Sequence, residues 1–299
     1  MLELDSVTRR FGDLTALDAV SFRVVPGRLT GFVGANGAGK TTAMRIVLGI
    51  TRADAGRVLW RGASLDRATQ ARMGYIPEER GLYPKMGVLD QLVFFGRLHG
   101  LTTADAATRG RALLERLGLG ERTAAKLESL SLGNQQRVQV AAAVLHDPVA
   151  LVLDEPFSGL DPLAVDSLAD LLRERAASAV PVLFSSHQLD LVESLCDDVV
   201  VIDGGRVVAA GTGDELRRRE NAHLYRLVVE PDAGWLRETA GLAVVDVDGP
   251  TALVRLLDEA GGSGGGAPRL LAAAMARGQV REFTPVRRTL ADIYREVVR

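Results

Sequence analysis

The sequence predicts an α/β domain built on a largely parallel sheet with helices on its faces, followed by a smaller α+β module. Three observations predict it. Short apolar runs, Leu151–Leu153, Val182–Phe184 and Val199–Ile202, alternate with helical patterns, as strands buried on both faces of a parallel sheet do. A glycine-rich segment at residues 34–41 lies between an apolar strand, Leu29–Val33, and a helix carrying Met44, Val47 and Leu48 on one face. From about residue 222 the pattern changes to paired strands with short helices, so one domain is expected over 1–220 and another over 221–299.

Taken in order, residues 1–30 read as short strands and turns, with apolar alternation at Leu2 and Leu4 and again at Val20, Phe22 and Val24. Residues from about 86 to 145 form a mostly helical subdomain: Leu89, Leu92, Val93 and Leu98 mark one helix, and Leu113, Leu114 and Leu117 another. Asp203-Gly204-Gly205 reads as a tight hairpin turn into Val207–Ala209. Beyond it, Leu224–Val229 and Leu242–Val247 read as strands, the second pairing with Thr251–Leu257 across Asp248-Gly249-Pro250. Residues 261–266 are a flexible glycine-rich insertion. Arg269–Arg277 and Thr289–Val298 read as helices flanking a last strand, Gln279–Phe283.

Composition excludes several classes of function. With 47% hydrophobic residues the chain supports a core, so a mainly disordered protein is excluded. A net charge of −2 gives no basic field to attract nucleic acid, and no nucleic-acid partner is expected. Lysine occurs only at 40, 85 and 126, arginine supplying the other basic residues, which singles out Lys40. The single cysteine, Cys196, has no disulfide partner and no ligand neighbours at metal-binding spacing, and reads as a core thiol. The N-terminus carries acid early without a signal-peptide core, and no apolar run approaches the roughly 18 residues that span a bilayer. A soluble, intracellular protein is expected.

Two segments carry phosphate and hydrolytic chemistry. In Gly34-Ala35-Asn36-Gly37-Ala38-Gly39-Lys40-Thr41, with Thr42 next in the chain, the glycines let backbone N–H groups converge on an anion. The helix that begins there adds its positive end, Lys40 a point charge, and Thr41 a hydroxyl suited to Mg²⁺. Asp154 and Glu155 end a buried apolar strand, Asp154 placed to reach Mg²⁺ and Glu155 to act as general base on water. A third segment, Leu130-Ser131-Leu132-Gly133-Asn134-Gln135-Gln136-Arg137, precedes a helix with Val138, Ala142 and Leu145 on its inner face. Alone it reads as an ordinary serine-capped helix start; Ser131 is also suited to donate to an anion, and Gly133 to admit backbone closely.

The order of these three segments resembles the ATP-binding cassette (ABC) family over most of residues 1–220. Leu130, Ser131 and Gly133 match the family's signature motif, while Leu132 and Asn134 depart from it; Gln135, Gln136 and Arg137 fit the positions next to it in the family. Ser158-Gly159-Leu160-Asp161 resembles the D-loop, His187 the switch histidine that contacts the γ-phosphate, and Phe11 the aromatic residue that stacks on adenine. After Gly74-Tyr75-Ile76-Pro77 comes Glu78, where the family usually has a glutamine near Mg²⁺. The stretch Pro77-Glu78-Glu79-Arg80-Gly81-Leu82-Tyr83-Pro84 resembles exporter ATPases of the sodium-efflux and drug-resistance type, as do Phe283-Thr284-Pro285 and Leu290-Ala291-Asp292-Ile293-Tyr294.

The resemblance implies a P-loop NTPase fold of the ABC ATPase kind, with a helical subdomain and a small C-terminal α+β module. It implies an ATPase using ATP and Mg²⁺, with Glu155 and His187 catalytic and Thr41, Asp154 and Glu78 at the metal. Ser131, Gly133, Asn134, Gln135 and Asp161 join the nucleotide site, those of the signature segment by completing the site of a second copy. The implied partners are that second copy and a membrane permease, which places the chain in the cytoplasm on the inner face of the membrane. Leu82, Tyr83, Met86, Phe94 and Phe95 are candidates for the docking groove, or for core of the subdomain. Alternatives are a non-transport ABC ATPase and a regulatory ATP sensor. The single cassette, the absence of sustained heptads and the neutral-to-acidic charge argue against the first, and Glu155 and His187 against the second.

Overall fold

The computed structural model describes residues 1–79, 81–216, 224–257, 266–286 and 291. Two compact units divide the chain, the first holding Met1–Gly213 and the second Asp214–Glu296. The break falls a few residues before the expected position at 220.

In the first unit, β1 (Leu2–Phe11) and β2 (Leu14–Val24) form a long antiparallel pair, not the short strands and turns expected. Shifts of register along the pair interrupt the apolar alternation, which is why the sequence reads as shorter pieces. Leu2, Leu4, Val20, Phe22 and Val24 point into the core. β3 (Leu29–Val33), buried at every residue, leads into α1 (Lys40–Val47). The strands β4 (Ala55–Trp60) and β5 (Ala63–Ser64), not expected from the residue pattern, complete a sheet ordered β2-β1-β4-β5. A short α2 (Arg67–Gln70) and β6 (Gly74–Ile76) precede the helical subdomain.

That subdomain comprises α3 (Val88–Leu98), α4 (Thr103–Arg116) and α5 (Leu132–Val144). Thr102 and Ser131 cap α4 and α5 by accepting from Asp105 N and Asn134 N. The buried face of α5 is broader than a single stripe: Val138, Val140, Ala141, Ala143 and Val144 are all buried. Next come β7 (Leu151–Leu153), α6 (Pro162–Ala177), β8 (Val182–Ser186), α7 (Leu189–Leu195), β9 (Asp198–Asp203) and β10 (Arg206–Thr212). The turn Gly204-Gly205 closes the β9–β10 hairpin, both glycines having positive φ.

The second sheet has the order β10-β9-β3-β8-β7-β6 and is parallel except for β10. Its register matters for function. Val33 pairs with Ser186, Leu153 with Phe184 and Ile76 with Leu153, so the carboxyl ends of β3, β6, β7 and β8 lie side by side. Loops leaving a parallel sheet at this edge converge, the usual place for a ligand in α/β folds.

The second unit is a four-stranded antiparallel sheet ordered β12 (Leu242–Asp248), β13 (Thr251–Leu256), β11 (Leu224–Glu230), β14 (Gln279–Pro285), with α8 (Gly266–Met275). The β12–β13 pairing is the expected hairpin. Leu227, Val229, Leu236, Val254, Leu270 and Ala274 form its core. The expected helix at 289–298, apart from Ala291, and the glycine-rich insertion, apart from Gly266, lie outside the described residues.

Candidate functional site

The loop from Gly34 to Gly39 turns into α1 through Gly39 at φ 108, a conformation only glycine adopts without strain. No side chain caps α1, so its first N–H groups remain available for an anion. Lys40 is buried, and its Nζ donates to the carbonyls of Gly34 at 2.6 Å and Ala35 at 3.1 Å. Thr41 Oγ1 donates to Asp154 Oδ2 at 2.7 Å, joining the loop after β3 to the acid after β7.

The loop borders a cavity of about 540 Å³. Of the residues expected at the site, Phe11, Asn36, Gly37, Gly39, Lys40, Thr41, Thr42, Glu78, Asp154 and Glu155 line it. Phe11 is half exposed at the rim, with the Arg9 guanidinium 4.5 Å from its ring centre. Three carboxylates and one lysine share the space, an excess of negative charge that suits a hard cation with oxygen ligands. Thr41 Oγ1 and the Asp154 carboxylate, already in contact, are oxygen donors of the kind a hard cation takes.

Glu155 occupies left-handed backbone at φ 49, which costs a residue other than glycine about 1–2 kcal/mol. The conformation is held: Glu155 N donates to Ser185 Oγ at 2.8 Å, and Ser185 Oγ donates to Asp154 Oδ1 at 2.5 Å. The Glu155 carboxylate is mostly buried and lies 3.0 Å from His187 Nδ1, while His187 is largely exposed. A carboxylate aimed into the cavity and supported by an imidazole is an arrangement able to take a proton from water.

Sequence reasoning missed Ser185. It also missed the part played by Leu14, Thr15, Ala16, Gly204 and Gly205, which complete the cavity wall. Gly205 N donates to Ala38 O at 3.1 Å, and Asp18 N to Gly205 O at 2.8 Å, so the β9–β10 turn packs on the loop. Gly204-Gly205 signalled its turn in the sequence; its place against residue 38 had no signal there.

The remaining expected residues stand apart from the cavity. Gly34, Ala35 and Ala38 form the floor of the loop behind its lining. Ser131 is exposed at the start of α5 and does not line the cavity of its own chain. Gly133 lies inside the first turn of α5 rather than before it. The close approach it permits is to its own chain: an added Cβ there would stand 2.8 Å from Gly159 O. Asn134 N is used in the Ser131 cap, and the Gln135 amide donates to the carbonyls of Leu130 at 3.0 Å and Leu127 at 3.3 Å. Asp161 caps α6 through Ala164 N and pairs with Arg137 Nη2 at 2.8 Å. Tyr83 stacks on Phe95, and Phe94 meets both rings edge-on, with Tyr83 and Phe94 exposed.

Comparison with known proteins agrees with this geometry. Residues 17–158 match the ABC transporter family, and residues 211–298 match the C-terminal domain of DrrA1-3-like ATP-binding proteins. Over 242 residues the chain is 40% identical to an uncharacterized ABC transporter ATP-binding protein of Bacillus subtilis (strain 168), covering 81% of each. It is 39% identical over 223 residues to the Nod factor export ATP-binding protein I of Ralstonia nicotianae, covering 74% of this chain and 70% of that one. The solved structure of an ATP-binding subunit of an ABC transporter superposes with a TM-score of 0.68 at 32% identity, over 74% of this chain and 93% of that one.

Proposed function

Because the chain belongs to the ATP-binding proteins of the ABC transporters and is an ATPase of that family, we propose that it energises export through a separate membrane permease. Two copies close on two ATP molecules, hydrolyse them and reopen. The Ralstonia relative is a Nod factor export protein, which supports the outward direction. Among the described residues no helix is long and apolar enough to cross a membrane, which fits a permease carried on another chain. On this reading the subunit sits on the cytoplasmic face of the membrane against that permease, with Tyr83, Met86 and Phe94 on the docking side.

The phosphates of ATP enter at the uncapped N-terminus of α1. They compete with the Gly34 and Ala35 carbonyls for the Lys40 ammonium, and a charged acceptor makes the stronger bond. Phe11 offers a ring face to the adenine. Thr41, Asp154 and Glu78 would hold Mg²⁺, which would supply positive charge to offset that of the phosphates. Glu155 accepts the proton of the attacking water, and His187 orients Glu155 and reaches toward the γ-phosphate. Ser131, exposed and outside its own cavity, serves the nucleotide of the second copy. Leu132 and Leu163, 60% and 79% exposed at the starts of α5 and α6, fit burial against that copy.

The observation that carries this reading is the mostly buried Glu155 carboxylate lining the cavity beside Asp154 and 3.0 Å from His187. Glu155→Gln keeps the shape and removes the base. Its hydrolysis rate should fall by about 10²–10⁴-fold while ATP still binds, and size-exclusion chromatography with light scattering should show a nucleotide-dependent dimer. Hydrolysis at the wild-type rate would refute the assignment.

A further inference from the structure

Helix α5 is fastened to both acid-bearing loops of its own chain. Gln136 and Gln139, one turn apart and 6% and 4% exposed, each spend an amide on a proline carbonyl. Gln136 Nε2 donates to Pro156 O at 3.0 Å, immediately after Glu155. Gln139 Nε2 donates to Pro77 O at 3.1 Å, immediately before Glu78. Proline has no N–H, so its carbonyl is the backbone hydrogen-bonding group each site offers.

Glu155 needs holding, because its left-handed backbone persists only where the surroundings over-determine it. Ser185 grips the amide of Glu155, and Gln136 grips the carbonyl of the next residue, so the strained peptide is clamped on both sides. The start of the same helix lies under Gly159 O, and Arg137 pairs with Asp161.

We propose that Gln136 and Gln139 are positioning residues that tie the helix bearing Ser131 to the backbone of Glu155 and Glu78. Gln136 sets the aim of the Glu155 carboxylate, and Gln139 sets Glu78 at the cation. A shift of α5 on contact with a second copy thereby reaches both acids of its own cavity. This rests on Glu155 acting as the base.

The test is a double-mutant cycle on the full-length chain, read by single-turnover ATP hydrolysis and by binding of a fluorescent ATP analogue. Gln136→Met keeps the length of the side chain and loses the donor. Alone it should lower the hydrolysis rate by about 10–100-fold, with nucleotide affinity changed by less than about twofold. In a Glu155→Gln background it should change the residual rate by less than about twofold, because no base remains to be aimed. An equal fold-loss in both backgrounds, or an unchanged rate in the single variant, overturns the proposal. Wild-type hydrolysis by Glu155→Gln alone refutes the base itself and is recognised separately. Gln139→Met gives an independent reading should Gln136→Met not fold. It should raise the Mg²⁺ concentration for half-maximal nucleotide binding by about threefold or more, and an unchanged cation dependence overturns the role of Gln139.

Discussion

Ser185 shows how the site is decided one residue at a time. It has no solvent exposure, and one hydroxyl both restrains the Asp154 carboxylate and receives the Glu155 amide. Ser185→Ala leaves that buried amide without a partner, a loss of about 1–3 kcal/mol. Urea denaturation should register that destabilisation, and hydrolysis should fall more than nucleotide affinity does. The loop around Lys40 and the acid pair were legible in the sequence because glycines, lysine and an apolar run ending in acids form a local pattern. Ser185 was not, since a serine in a buried strand carries no sign of which acid it faces. Gly133 and Gln135 were legible as residues, but their contacts within the chain were not: Gly133 faces Gly159 O, and Gln135 donates to the carbonyls of Leu130 and Leu127.

At the scale of elements, α3 and α5 meet next to the β6 edge through two histidines. The rings of His99 and His146 stack with centres 3.7 Å apart. Burial, and after it the neighbouring His99, push His146 down to about 4, while Asp147 works the other way. The unfolded chain takes up that proton near the ordinary value of about 6.5. The folded state therefore binds fewer protons between these values. The contribution of His146 is complete above about 6.5 and is lost as pH falls toward 4. The melting temperature should drop between pH 7 and pH 5, and His146→Phe should reduce that drop by about 3 °C. The histidines stand far apart in sequence, and nothing in either segment announced the pair. The elements themselves were largely legible from period and caps; the lengths of β1 and β2 were hidden by their shifts of register.

For the whole molecule, the cavity lies within the first compact unit, whose lining runs from Phe11 to Gly205. A chain ending at residue 213 should therefore fold and bind ATP with affinity within about threefold of the full chain. Circular dichroism melting and nucleotide titration check this, and loss of folding would show that the second unit is required by the first. The family, the alternation that makes a parallel sheet, and the charged residues at the phosphate loop and the acid strand could all be read along the chain. These features are local, because period and motif are written in a few consecutive residues. Folding alone brings Thr41 to Asp154, sets Ser185 between both acids, and ties α5 to Pro77 and Pro156. Side-by-side strand ends unite residues more than a hundred positions apart, and that register belongs to the sheet, not to any one segment.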